Sequence, residues 1–303
     1  MQDSIKQSSH GHSPNFDLAL DKRYGLDKVF AIASWVATIF GLVVLVFLLF
    51  DILTDGLGRL NWQFLTSFSS RRAADSGVLA PLVGTIWLLM ITALVAFPLG
   101  VGAGIYLEEY ATSNWFTNLI EINISNLAAV PSIIYGLLGL GIFVRVLEPV
   151  TGGRSVLAGG LTLALLILPI IIITTRESLR AVPDSLRQAG FALGATRWQV
   201  IREQIFPIAL PGILTGTILA LSRAIGETAP LIIIGAVNFI AFLPNGLRSA
   251  FTALPIQIFD WVSRPQPEFH TNAAAGIIVL MVVLLLMNTT AIILRNKFQS
   301  DRN

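Results

Sequence analysis

Charged residues divide the chain into long apolar stretches separated by short polar ones. Twenty-two uncharged residues separate Lys28 from Asp51, 32 separate Asp75 from Glu108, and 23 separate Glu121 from Arg145. A further 21 lie between Arg154 and Arg176, and 26 between Glu268 and Arg295. A sixth apolar stretch, Ile205 to Val237, is interrupted by Arg223 and Glu227. A bilayer core about 30 Å thick takes roughly 20 apolar residues to cross as a helix. The pattern therefore predicts an all-α membrane protein with six transmembrane helices. The runs are continuous rather than alternating, which disfavours a β-barrel, the other structure that satisfies its own backbone in lipid.

This patterning implies an organisation. Residues 1–28 form a polar tail, 29–52 a peripheral first transmembrane helix and 53–79 an outer loop. Residues 80–295 form a five-helix core that includes a polar segment, 176–206, and 296–303 form a second tail. With both termini inside, the inner segments hold 12 Lys and Arg against 7 in the outer ones, so the positive-inside rule places both termini in the cytoplasm. The first apolar run is long enough to span and follows a polar segment, so no cleavable signal is expected.

Composition adds little beyond support. Apolar residues make up 54% and charged residues 13% of the 303, where soluble domains carry about a quarter charged. The chain has no cysteine, which excludes disulfides and thiolate metal sites. A net charge of +2 gives no reason to expect nucleic acid. His10 and His12 lie in the Ser-rich tail without acidic or Cys companions, and read as solvated rather than metal-binding.

Pro98, Pro131 and Pro169 fall inside hydrophobic runs, and Gly100 to Gly104 and Gly136 to Gly141 leave little side-chain bulk. Small residues let helices approach closely in lipid; broken helices beside a substrate path look similar in sequence. The segment from Arg176 to Gln204 is too polar to cross a membrane. Ser185 to Gln188 reads as a capping box for a first short helix, with Gly194 placed to end it, and Thr196 to Gln199 reads as a second box. Two amphipathic helices hinged at Gly194-Ala195 follow, suited either to the membrane surface or to a protein partner. In the outer connection from Asn238 to Thr271, the segment Leu254 to Trp261 fits the membrane interface or a pore mouth.

Arg223 and Glu227 carry the most chemistry. Charges inside a spanning helix are costly and face a bundle interior or an aqueous cavity. Their spacing of four predicts one helix face, continued by Gly212, Gly216 and Ala220, while Gly226 and Pro230 predict an irregular helix around Glu227. The pair either neutralises itself or presents Arg223 to an anion in transit, since a guanidinium donates two parallel hydrogen bonds to a phosphate-like group. Glu227 then holds Arg223 when the path is empty, or accepts a hydrogen bond from a protonated phosphate oxygen, which fully ionised sulfate does not offer.

The segment Ser222-Arg223-Ala224-Ile225-Gly226-Glu227-Thr228-Ala229-Pro230-Leu231 resembles the signature of bacterial phosphate ABC-transporter permeases. Val182 to Ala189, followed by Leu193-Gly194-Ala195-Thr196-Arg197-Trp198, resembles the coupling motif of importer permeases. There, Gln188-Ala189-Gly190 stands where the family has Glu-Ala-Ala, and Pro207 is the terminal proline. Further matches, Gly104 to Ala111 and Val130 to Gly136, extend the resemblance from about Pro81 to Phe298. Ala253 to Ile258, with Trp261 and Pro265, is similar to the A subunit rather than its paralogous C subunit. A departure is Arg176, where similar proteins often have Glu, with Ile173 where they often have Arg.

The resemblance implies a type I ABC importer permease fold in the bacterial inner membrane, paired with a C-type permease. It implies two copies of a separate ATPase, which bind ATP and Mg, and a periplasmic phosphate-binding protein. Arg223, Glu227 and Thr228 are then expected on the substrate pathway. Gln188, Ala189, Gly190, Gly194, Ala195, Thr196 and Pro207 are expected to couple to the ATPase. No Gly-x-x-x-x-Gly-Lys-Ser/Thr occurs, so the chain is expected to be neither an ATPase nor another enzyme. An ion-coupled secondary anion transporter is the first rival, against which stands the want of an internal repeat. A membrane-embedded hydrolase lacks an intramembrane nucleophile and base. A permease for molybdate or sulfate is opposed by the Arg223 to Pro230 signature alone.

Overall fold

The computed structural model describes residues 20–112, 114–237 and 239–300; His10 and His12 lie outside them. Two compact units are distinguished, residues 1–51 and 52–303. The described part of the first is helical. Helix α1, Leu20–Gly56, begins there as one long rod, and apolar residues from Val29 to Phe50 are exposed along it. A helix that is apolar all round suits lipid.

The regular elements of the second unit are all helices among the described residues. Its elements are α2 (Trp62–Thr66), α3 (Leu79–Ile105), α4 (Trp115–Ala128), α5 (Ser132–Gly139), α6 (Glu148–Thr151) and α7 (Val156–Arg180). These are followed by α8 (Asp184–Ala192), α9 (Arg197–Val200), α10 (Phe206–Ile225), α11 (Ala229–Ile233), α12 (Leu254–Val262) and α13 (Pro267–Ser300). Wider π-helical turns extend α3 over Tyr106–Tyr110, extend α5 over Leu140–Val146, and join α9 to α10 over Ile201–Ile205.

Among the described residues, five helical stretches are long and apolar enough to cross a membrane: Tyr24–Arg59, Leu79–Tyr110, Val156–Arg180, Arg197–Ile225 and Pro267–Lys297. The third expected span is not one straight helix. Trp115–Ala128 and Ser132–Val146 meet at 104°, because Pro131 takes ψ 135° and cannot donate to a continuing helix. The six expected spans are thus five helices and one bent pair.

Helix α7 is the centre of the second unit. Ile167 and Ile171 are wholly buried and pack among side chains of α3, α5 and α10. Glycines permit the α3–α7 approach: a Cβ on Gly100 would lie 2.6 Å from Ile171, and one on Gly160 would lie 2.5 Å from Ile91. The start of α7 is closed by the outer connection, whose Ser249 and Leu247 carbonyls accept from the Val156 and Leu157 N–H groups at 3.0 and 2.9 Å. Ser155 accepts from Ala158 N–H at 3.2 Å. Three of the donors that a helix N-terminus leaves unpaired are thereby satisfied.

Two local expectations need correction. Ser185 does not cap α8: the helix starts one residue earlier, after Pro183, with no side-chain cap. Nor does Trp261 sit at an interface. It is 0% exposed, 5.9 Å from the Phe64 ring, in a core built from α2, α12 and α13. Helix α12 also buries Gln257, whose Oε1 accepts from Ser69 Oγ at 2.7 Å.

Candidate functional site

The expected fifth span breaks where its charges sit. Helix α10 ends at Ile225, α11 starts at Ala229, and Gly226, Glu227 and Thr228 form the joint. Pro230 occupies the first turn of α11, where its missing N–H costs no helical bond. Arg223 therefore lies in the last turn of α10 and Glu227 beyond the helix end, so the two do not share one helical face. They still meet: Arg223 Nε donates to Glu227 Oε1 at 3.4 Å, with side-chain exposures of 47% and 17%. Among the described residues no partner engages the two terminal nitrogens of Arg223, leaving an open donor fork. Thr228 is half-buried at the start of α11, and its carbonyl accepts from Ile232 N–H at 3.1 Å.

The surroundings fix this joint. Gly136 of α5 receives Pro230; a Cβ there would be 2.6 Å from Pro230 Cα. Tyr135, next to it, is buried and donates to the Leu127 carbonyl at 2.8 Å. On the stripe below Arg223, Gly216 packs against Thr174 and Gly212 against Ser178, and Ala220 is buried. The stripe faces α7, as its small residues predict, while Arg223 stands half-exposed at its edge. Ser222 Oγ donates within 2.7 Å of Asn288 Oδ1, a polar link between α10 and α13 that sequence reading passed over.

A second set of expected residues forms the α8–α9 module. Gly194 has φ +80°, the left-handed conformation that glycine adopts without steric cost. Ala195 N–H reaches Gly190 O at 3.1 Å and Gly194 N–H reaches Phe191 O at 2.9 Å, the paired bonds of a Schellman termination. Thr196 and Gln199 then form a reciprocal capping box. Gly190 is buried, and a Cβ there would lie 2.7 Å from Val200 Cγ2, which accounts for glycine where similar permeases carry alanine. Gln188 and Ala189 are exposed. Phe191, Leu193 and Trp198 are exposed by 47%, 85% and 56%, and Pro207 follows the π-helical turn in the first turn of α10.

Between the module and the core lies a network of charges joined across long sequence separations. Arg176 contacts Glu108 at 3.3 Å and Glu121 at 2.6 Å, which explains a basic residue at that position. Arg180 donates to both oxygens of Glu108, at 3.0 and 2.9 Å. Arg187 pairs with Glu109 at 2.7 Å; its hydrogen bonds to Glu109, partly offset by burial, hold its pKa above the usual arginine value. Beside them a cavity of about 560 Å³ is lined by Glu108, Glu109, Arg180, Asp184, Arg187 and Arg197, among others. Glu108 and Glu109 stand out in the sequence as adjacent acids, but nothing local names their partners. Among the described residues no group of His, Asp and Glu could hold a metal ion.

The profile of binding-protein-dependent transport system inner membrane components matches residues 96–300. The chain belongs to this family. It is accordingly a multi-pass inner-membrane permease of the importer type rather than a catalytic subunit. It is 34% identical over 252 residues to the phosphate transport system permease protein PstA of Yersinia pestis, covering 83% of each chain. It is 39% identical over 190 residues to the probable ABC transporter permease protein YqgI of Bacillus subtilis (strain 168), covering 62% of this chain and 63% of that one. The chain thus spans less than two thirds of YqgI. Among solved structures, a bacterial ABC transporter involved in the import of the acidic polysaccharide alginate superposes with a TM-score of 0.64 at 16% identity. That superposition covers 92% of this chain and 98% of the other, and it establishes the importer permease fold.

Proposed function

We propose that this chain is the A-type permease subunit of an ATP-driven phosphate importer. The observation that carries the reading is the open guanidinium fork of Arg223, held loosely by Glu227 at a break in a spanning segment. The likeness to phosphate permeases over 83% of the chain supports phosphate as the anion. A break of this kind exposes backbone and side chains to a pathway where an intact helix would not. Arg223, Glu227 and Thr228 line that pathway, with Arg223 lowering the barrier to a dianion that a separate periplasmic binding protein has already selected.

The module of α8 and α9 is the coupling site. Its apolar outer face, Phe191 and Leu193 beside Gln188 and Ala189, receives the ATPase, which carries ATP and Mg. Two ATPase copies and a C-type permease complete the importer. Both termini and segment 176–206 are cytoplasmic, the tails are 1–28 and 296–303, and residues 53–79 form a periplasmic loop. Residues 29–52 form the first transmembrane helix and residues 80–295 the five-helix permease core.

Hydrolysis of ATP by the reconstituted complex tests this reading, with the binding protein loaded with phosphate, with sulfate, with molybdate, or empty. Stimulation by phosphate alone is expected. Equal stimulation by sulfate or molybdate assigns the permease to another oxyanion, and failure of any ATPase to associate removes the importer reading.

A further inference from the structure

Arg187 is placed to do more than balance charge. It stands in the second turn of α8, yet its donors engage three other parts of the fold. Nε and Nη2 donate to Glu109 Oε1 at 3.2 and 2.7 Å, in the π-helical turn that ends α3. Nη2 also reaches the Leu179 carbonyl at 2.9 Å, in the last turn of α7. Nη1 reaches the Val182 carbonyl at 2.9 Å and Asp184 Oδ1 at 3.0 Å. The Leu179 carbonyl also accepts from the Val182 N–H at 3.2 Å, so Arg187 adds a side-chain bond to the backbone bond that closes the end of α7 and a further one to the linker. Arg187 and Glu109 expose only 17% and 8% of their side chains, so the contact is sheltered from solvent screening. The neighbouring Arg180–Glu108 pair reaches the same turn, but Arg180 is 67% exposed and correspondingly weak.

Covalently, α8 hangs from α7 by the short linker 181–183, a bend across which no helical hydrogen-bond ladder runs from α7 into α8. We propose that Arg187 and Glu109 are a positioning pair that makes α8, the end of α3 and the end of α7 move as one body. Displacement of α8 then reaches the two most tightly packed core helices directly. This rests on the reading of α8 as the ATPase contact. Neither residue touches phosphate or nucleotide; both act through the helices they join. The planar fork matters as much as the charge, because one guanidinium must satisfy a carboxylate and two carbonyls at once.

The test uses the full reconstituted complex and reads phosphate transported per ATP hydrolysed. Residues in one ion-pair network couple strongly enough that Glu109→Gln should lower this ratio by about tenfold, with Arg187→Lys intermediate. The chain has no cysteine, so in a Glu109→Cys, Arg187→Cys variant a short bis-maleimide joins only these two positions of the subunit. Cross-linking should restore the ratio that the uncross-linked double variant has lost. A wild-type ratio in Glu109→Gln, even with less complex assembled, reduces the pair to a structural role and overturns the proposal. Cross-linking that blocks transport also overturns it, since the contact would then have to open in each cycle. If the wild-type complex itself ignores phosphate, the functional reading fails instead, and this proposal falls with it.

Discussion

Arg223 donates a single bond of 3.4 Å to Glu227, which leaves it free to exchange partners. Arg223→Lys keeps the charge but loses the fork. A hydrogen bond to a charged group contributes about 1.5–3 kcal/mol, so phosphate uptake should fall ten- to hundredfold in vesicles containing the same amount of assembled complex. Glu227→Gln should leave the complex intact and narrow the preference for phosphate over sulfate, read as the ratio of their uptake rates. Unchanged selectivity would show that Glu227 only restrains Arg223. A third residue prediction concerns packing. A Cβ on Gly84 would press into the Thr252 carbonyl, a backbone group that cannot rotate away. Gly84→Ala should cost about 1–3 kcal/mol and lower the thermal midpoint of the purified subunit.

Among the elements, α8 and α9 were the most legible in sequence because their signals are local. Gly194 and the Thr196–Gln199 box act within a few residues, and both are found where the spacing puts them. Gly194→Ala should cost about 1–2 kcal/mol through its left-handed backbone, read as a lowered midpoint. Its Cβ would meet open space, so contacts add nothing to that figure. The failures have equally physical causes. Pro183 starts α8 before Ser185 can cap it, and Pro131 bends a run that uniform hydropathy reads as straight. Trp261 in an apolar segment beside charges has the same composition at a membrane interface as in a core, and only the partners supplied by Phe64 and α13 distinguish them. Arg187 and Glu109 are 78 residues apart; no periodicity reports such a pair. The Arg223–Glu227 contact was legible as a pair, while its geometry depended on a helix break that Gly226 and Pro230 signalled only as irregularity.

For the molecule as a whole, the described residues hold five helices long and apolar enough to span and one bent pair, and the proposed function assigns anion passage to Arg223 and coupling to the face of α8 and α9. No nucleotide-binding loop occurs in its sequence, and the proposed function takes the energy for transport from a separate ATPase. That division of labour is the central claim, and uptake of labelled phosphate by proteoliposomes tests it most directly. The complex would be reconstituted with its binding protein, once with ATP available to the ATPase and no ion gradient, and once with an imposed proton or sodium gradient and no ATP. Phosphate should accumulate under the first condition alone. Accumulation driven by the gradient in the absence of ATP would contradict the account and make the chain an ion-coupled transporter.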